Sequence, residues 1–79
     1  MSEIVWEKLL EKPGFAVFIQ IAEEENPKTF TFSEEGSLPP GETLMGKKDF
    51  GTKDEAIKYA EENYIPGRRT RGWTLKEPG

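Results

Sequence analysis

The side chains with the most chemical capacity in this sequence are three arginines and a tryptophan set close together: Arg68, Arg69, Arg71 and Trp73. A guanidinium presents a planar fork of N–H donors that matches phosphate, and an indole beside it can stack a base. At this spacing the four residues describe a nucleic-acid contact. The competing reading puts Trp73 in the core and leaves the arginines solvated or paired with glutamates. Charge weighs against nucleic acid, because 15 acidic residues against 11 basic ones give a formal net charge of −4. Nucleic-acid modules usually carry a basic excess, so nucleic acid is the second expectation. Two acidic groups, Glu23-Glu24-Glu25 and Glu34-Glu35, flank one predicted hairpin. Brought together they would make a negative edge for a basic partner. Left apart, they are solvated hairpin ends. Their spacing lacks the D-x-D-x-D-G order of a calcium loop.

The missing residue types restrict chemistry further. The sequence has no histidine and no cysteine, which removes the usual general base near neutral pH, the thiolate nucleophile and an ordinary zinc site. Serine occurs at Ser2, Ser33 and Ser37, none of them in a G-x-S-x-G elbow. No G-K-[ST] triplet marks a phosphate loop. These absences predict a protein that is not an enzyme and needs no cofactor or metal. No apolar run approaches the 18 residues of a membrane span, and no signal-peptide or lipidation pattern is present. The expected location is cytoplasmic, without a membrane partner.

Residues 1–79 read as a single α+β domain near the lower size limit for a self-sufficient core. Five Phe, two Trp and two Tyr supply much of its apolar surface. The clearest element is a helix beginning after Thr52. Thr52 with Glu55 three residues later is a capping box, and Ala56, Ile57, Ala60 and Tyr64 recur at helical spacing. Ile65-Pro66-Gly67 should end it, since proline cannot continue the ladder. This stretch resembles the final helix of several small β-rich prokaryotic domains and is similar to a segment in a small accessory subunit of respiratory complex I. The likeness spans about a dozen residues and follows from capping and amphipathic packing. It carries no functional residue onto this chain.

Phe15 to Ala22 alternates as a strand, with Phe15, Val17, Ile19 and Ile21 toward the core and Phe18 on the other face. The segment from Ser2 to Lys12 reads two ways: as a helix capped by Ser2, with Val5, Leu9 and Trp6 in an untidy stripe, or as a strand, with Ile4, Trp6 and Leu10 on one face and Val5 and Leu9 on the other. Pro13-Gly14 favours the strand. Thr29 to Ser33 alternates Thr with Phe and pairs as a second hairpin across Asn26-Pro27. Glu34 to Lys48 is a long loop broken by Gly36, Pro39-Pro40-Gly41 and Gly46. Leu44 and Met45 are its best strand candidates, and Leu38 could be presented by the stiff prolines. Arg71 to Lys76 reads as a last short strand, before a Glu77-Pro78-Gly79 end. The expected fold is a small antiparallel β-sheet of three to five strands in the chain order β-β-β-(β)-α-β, with one helix on one face. Its core should hold Phe15, Val17, Ile19, Ile21, Phe30, Phe32, Phe50, Ala56, Ile57, Ala60 and Trp73.

One helix covers one face of a sheet, so the other face, bearing Phe18, is left for a partner. The first expectation is therefore a small protein-interaction module of accessory, regulatory or inhibitor type, binding another protein or a second copy of itself through the open sheet face or the acidic hairpin ends. Its expected contacts are Phe18, Glu23, Glu24, Glu25, Glu34, Glu35 and Leu38.

Overall fold

The computed structural model describes residues 2–25 and 27–76. Five strands form one antiparallel sheet: β1 (Glu3–Lys12), β2 (Phe15–Glu24), β3 (Thr29–Ser37), β4 (Lys48–Phe50) and β5 (Thr74–Lys76). Their spatial order is β4-β3-β2-β1-β5, and helical residues 53–69 fall between β4 and β5 in the chain. This is the α+β class expected. Gly14, at φ 83, lets β1 turn into β2 within two residues, so that Lys12 faces Phe15. The Asn26 part of the second turn and the Glu77–Gly79 end lie outside the described residues.

Pairing register assigns side chains to faces, because directly opposed residues point the same way. Val17, Ile19 and Ile21 sit opposite Leu10, Lys8 and Trp6 on β1 and opposite Gly36, Glu34 and Phe32 on β3. The helical residues pack on this side. Leu10, Val17, Ile19, Ile21, Phe32, Ala56 and Ala60 are completely or almost completely buried, with Phe30, Tyr64, Ile65 and Trp73 nearly so. Phe15, Phe50 and Ile57 pack against them half-buried. All the expected core residues are thus in or against the core, and Leu10, Tyr64 and Ile65 join them.

Five local expectations change, one of them in the last strand, which begins at Thr74 rather than Arg71 because residues 71–73 form the turn that ends the helix. A β-bulge between Ile4 and Trp6 shifts β1, so Ile4 pairs with Ala22 on the face away from the helix while Trp6 turns inward. Ile4 and Trp6 therefore do not share a face. Strand β3 runs on through Glu34 to Ser37, because the backbone pairs with β2 as far as Ala16. Gly36 permits this with φ 152, where a Cβ would run into the Ala16 carbonyl oxygen. The strand before the helix is Lys48–Phe50, whereas Leu44 and Met45 are exposed in the loop. Here the aromatic Phe50 has a partner in Phe30 across the ladder.

The largest change is at the end of the helix. Thr52 accepts from the Glu55 N–H at 3.1 Å as the cap requires, while the Glu55 carboxylate takes the Thr52 hydroxyl rather than its backbone N–H. After α1 (Lys53–Tyr59) the chain makes a π-helical turn, Ala60–Tyr64, and then continues as α2 (Ile65–Arg69). The Ile65 N–H reaches back five residues to Ala60. That wider turn accommodates Pro66 at the start of a fresh α-turn, where its missing N–H is tolerated. The helical run ends beyond Pro66-Gly67. Gly72 at φ 93 closes it, with Gly72 N–H to Arg69 and Trp73 N–H to Arg68 forming a Schellman pair.

Candidate functional site

Continuing the helix by one turn carries Arg68 into the interior. Ala56, Ala60, Tyr64 and Arg68 follow one another at intervals of four, so Arg68 falls on the buried stripe and is only 4% exposed. A buried guanidinium needs partners for its donors. Arg68 donates from Nη1 to Glu42 at 2.9 Å, from Nη2 to Glu34 at 3.1 Å and to the Thr43 carbonyl at 3.3 Å, and from Nε to the Tyr64 hydroxyl at 3.1 Å. Tyr64 donates in turn to Glu34 at 2.9 Å, and the Trp73 indole donates to Glu42 at 2.9 Å. The Arg68 guanidinium also lies over the Tyr64 and Trp73 rings, 5.3 and 5.8 Å from their centroids.

The electrostatics agree with a closed cluster. The Trp73 N–H, with Lys12 and Arg68 behind it, holds the Glu42 carboxyl below its ordinary value of 4.5 against the opposing effect of burial. Burial pushes the Tyr64 phenol well above its ordinary 10.0. For Arg68 burial opposes the charge, but the bonds to Tyr64 and Glu34 outweigh it and raise the pKa. Among the described residues, Glu34 Oε2 is the one buried side-chain polar atom without a hydrogen-bond partner. The cluster ties the 38–47 loop to the helix. Glu42 receives both Arg68 and Trp73, and Tyr59 reaches Met45.

These contacts place the arginine group differently from the nucleic-acid expectation. Arg68 and Trp73 are buried and spent on the cluster, and only Arg69 and Arg71 remain at the surface. Arg71 lies on the rim of a shallow hollow of about 340 Å³ with Thr43, Met45 and Asn63. Half-buried Tyr59 and the buried Tyr64 line the same hollow, but the Trp73 ring expected to stack a base is inside.

The acidic expectations also separate. Glu34 is a buried partner of Arg68, with a side-chain exposure of 0%. Glu35 points the other way, opposite Phe18. Glu23 pairs with Lys28 at 3.6 Å, Glu24 stands opposite Thr29, and Glu25 is exposed in the turn. Glu35 lies six residues along β3 from Thr29, about 20 Å at strand rise. The two acidic groups do not form one edge. Leu38 is half-buried against the core rather than presented by the loop.

What remains is the second face of the sheet. Its rows follow from register: Ile4, Ala22, Thr31 and Asp49; then Glu7, Gln20 and Ser33; then Lys76, Leu9, Phe18 and Glu35; then Thr74, Glu11, Ala16 and Ser37. Phe18 at its centre is 51% exposed and Ile4 is 47% exposed. The 38–47 loop is docked on the helix side through Glu42 and Met45. Among the described residues no element packs here.

Comparison with known proteins adds no relative: no family model fits the sequence, and no curated protein or solved structure matches it. Among the described residues no cluster of three or more Asp or Glu could hold a metal ion, and no helix is long and apolar enough to cross a membrane.

Proposed function

We propose that this chain is a small non-enzymatic protein-interaction module of accessory, regulatory or inhibitor type, binding through the sheet face that the helix leaves uncovered. The observation that carries this reading is the exposure of Phe18 at the centre of that face. An aromatic ring half open to water forgoes a large part of the stabilisation that burial would provide, and among the described residues no other ring stacks on it. Leu9, Ala16 and Ala22 widen the apolar centre, and threonine, serine and carboxylate side chains rim it. Interfaces share this plan of apolar centre and polar rim. The buried Arg68 cluster supports the reading indirectly, because it holds the loop on the helix side and keeps the Phe18 face clear.

A photo-crosslinking residue placed at position 18 tests this in extract of the native cell. It should capture a protein that the same residue at position 58, on the exposed side of α1, does not. Equal yields from both positions would remove the sheet face as the binding surface.

A further inference from the structure

We propose that the uncovered face receives a cationic polypeptide surface, one whose lysine or arginine side chains surround an apolar contact. The inference rests on the interaction-module reading and specifies the partner's chemistry. It comes from how charge is divided between the two faces. Among the described residues the uncovered face carries Glu7, Glu11, Glu24, Glu35 and Asp49 against the single basic residue Lys76. Five acidic groups and one basic group make −4, which equals the formal charge of the whole chain. The rest of the sequence then holds ten of each sign and is neutral.

Position on the lattice sharpens the chemistry. Phe18 has Glu35 directly across on β3, while Glu7 and Glu11 stand diagonally across on β1, flanking Leu9. Such neighbours lie about 5 and 7–8 Å away, within reach of a long side chain. A lysine or arginine lying over the Phe18 ring would bury its aliphatic stem on the aromatic and bring its charged head to a carboxylate. Glu11 is engaged at 3.4 Å by Lys76, itself 64% exposed, whereas Glu7 and Glu35 have no counter-ion among the described residues. The same charge disfavours other occupants. A second copy would bring two faces of −4 together, and nucleic acid or an anionic membrane would meet like charge.

The test is an NMR titration of the full isotope-labelled chain with three ten-residue peptides: alternating Lys and Leu, alternating Lys and Ser, and alternating Glu and Leu. The Lys–Leu peptide should bind tightest, shift the amides of Leu9, Phe18 and Glu35 more than those of Glu61 and Glu62, and weaken as salt is raised. Glu7→Gln with Glu35→Gln should lower its affinity at least about tenfold, and so should Phe18→Ser alone. All three positions are exposed, and circular dichroism checks that the fold is kept. Binding of the Glu–Leu peptide as tightly as the Lys–Leu one, or shifts centred on Glu61 and Glu62, would overturn the proposal. So would a Phe18-dependent dimer in sedimentation equilibrium. The two readings fail separately. Position 18 crosslinking a protein equally well with and without Glu7→Gln/Glu35→Gln would discard the cationic partner and leave the module, whereas equal crosslinking from positions 18 and 58 would discard both.

Discussion

On the helix side of the sheet Arg68, Glu34, Glu42 and Lys12 answer one another across the loop, the helix and two strands, while on the other side Glu7 and Glu35 stand without a counter-ion among the described residues. Both sides use the same residue types. The difference is water. A charge withdrawn from solvent must be paired and hydrogen-bonded or it costs several kcal/mol, so the inner arrangement is closed and serves stability. A charge left in water costs almost nothing alone, so the outer arrangement can remain unmatched. The most elaborate ion cluster of this molecule is thus an internal one, and incomplete pairing is found on the opposite face.

Substitutions should separate the two faces by size of effect. Arg68→Ala removes the centre of the inner cluster and leaves Glu34 buried without its counter-charge, a loss of about 3–5 kcal/mol in urea denaturation. In a domain of this size such a loss approaches the whole stability. A loss below about 1 kcal/mol would mean that the cluster is not what holds the loop. Gly36→Ala comes next, at about 1–3 kcal/mol, since the new methyl meets the Ala16 carbonyl and the backbone cannot keep φ 152. An unchanged urea midpoint there would mean β3 leaves β2 earlier than Ser37. Thr52→Ala removes the helix cap and should cost about 1 kcal/mol, whereas Thr52→Ser should be nearly silent.

Acid gives a smaller, directional effect. The Glu42 carboxyl is held below 4.5, so its contribution is present above that pH and is lost as pH falls through the depressed folded value. The urea midpoint of the wild type should therefore drop more steeply below about pH 4.5 than that of Glu42→Gln, and parallel profiles would exclude Glu42 as a source of acid sensitivity. Smallest of all, Phe18→Ser should change stability by no more than about 0.5 kcal/mol while it abolishes capture from the open face. A large destabilisation at Phe18 would erase the contrast between the faces.

Legibility followed the range of the interaction. The strand Phe15–Ala22 and the Thr52 cap were readable because alternation and capping are written within a few residues. The bulge at Ile4 and the extension of β3 were not, since each is set by pairing with β2. For Arg68 the sequence offers pairing with glutamates, but not burial, as the competing reading, and the structure shows both the pairing and the burial. With Pro66 read as a stop, the four-residue spacing of Ala56, Ala60 and Tyr64 has no next member. Carrying that spacing past the proline would have placed Arg68 on the buried stripe. Glu42 had no signal at all, lying 26 residues away in an irregular loop.

The sequence by itself determined the class of fold, most of the core and the face on which Phe18 lies, because periodicity and turn chemistry act locally. Only the tertiary structure decided which charges are inside and which are outside. Glu34 and Glu35 are adjacent in the chain, yet a strand turns consecutive side chains to opposite faces, and the helix covers just one of them. One carboxylate therefore anchors the interior, and its neighbour is left facing water beside Phe18.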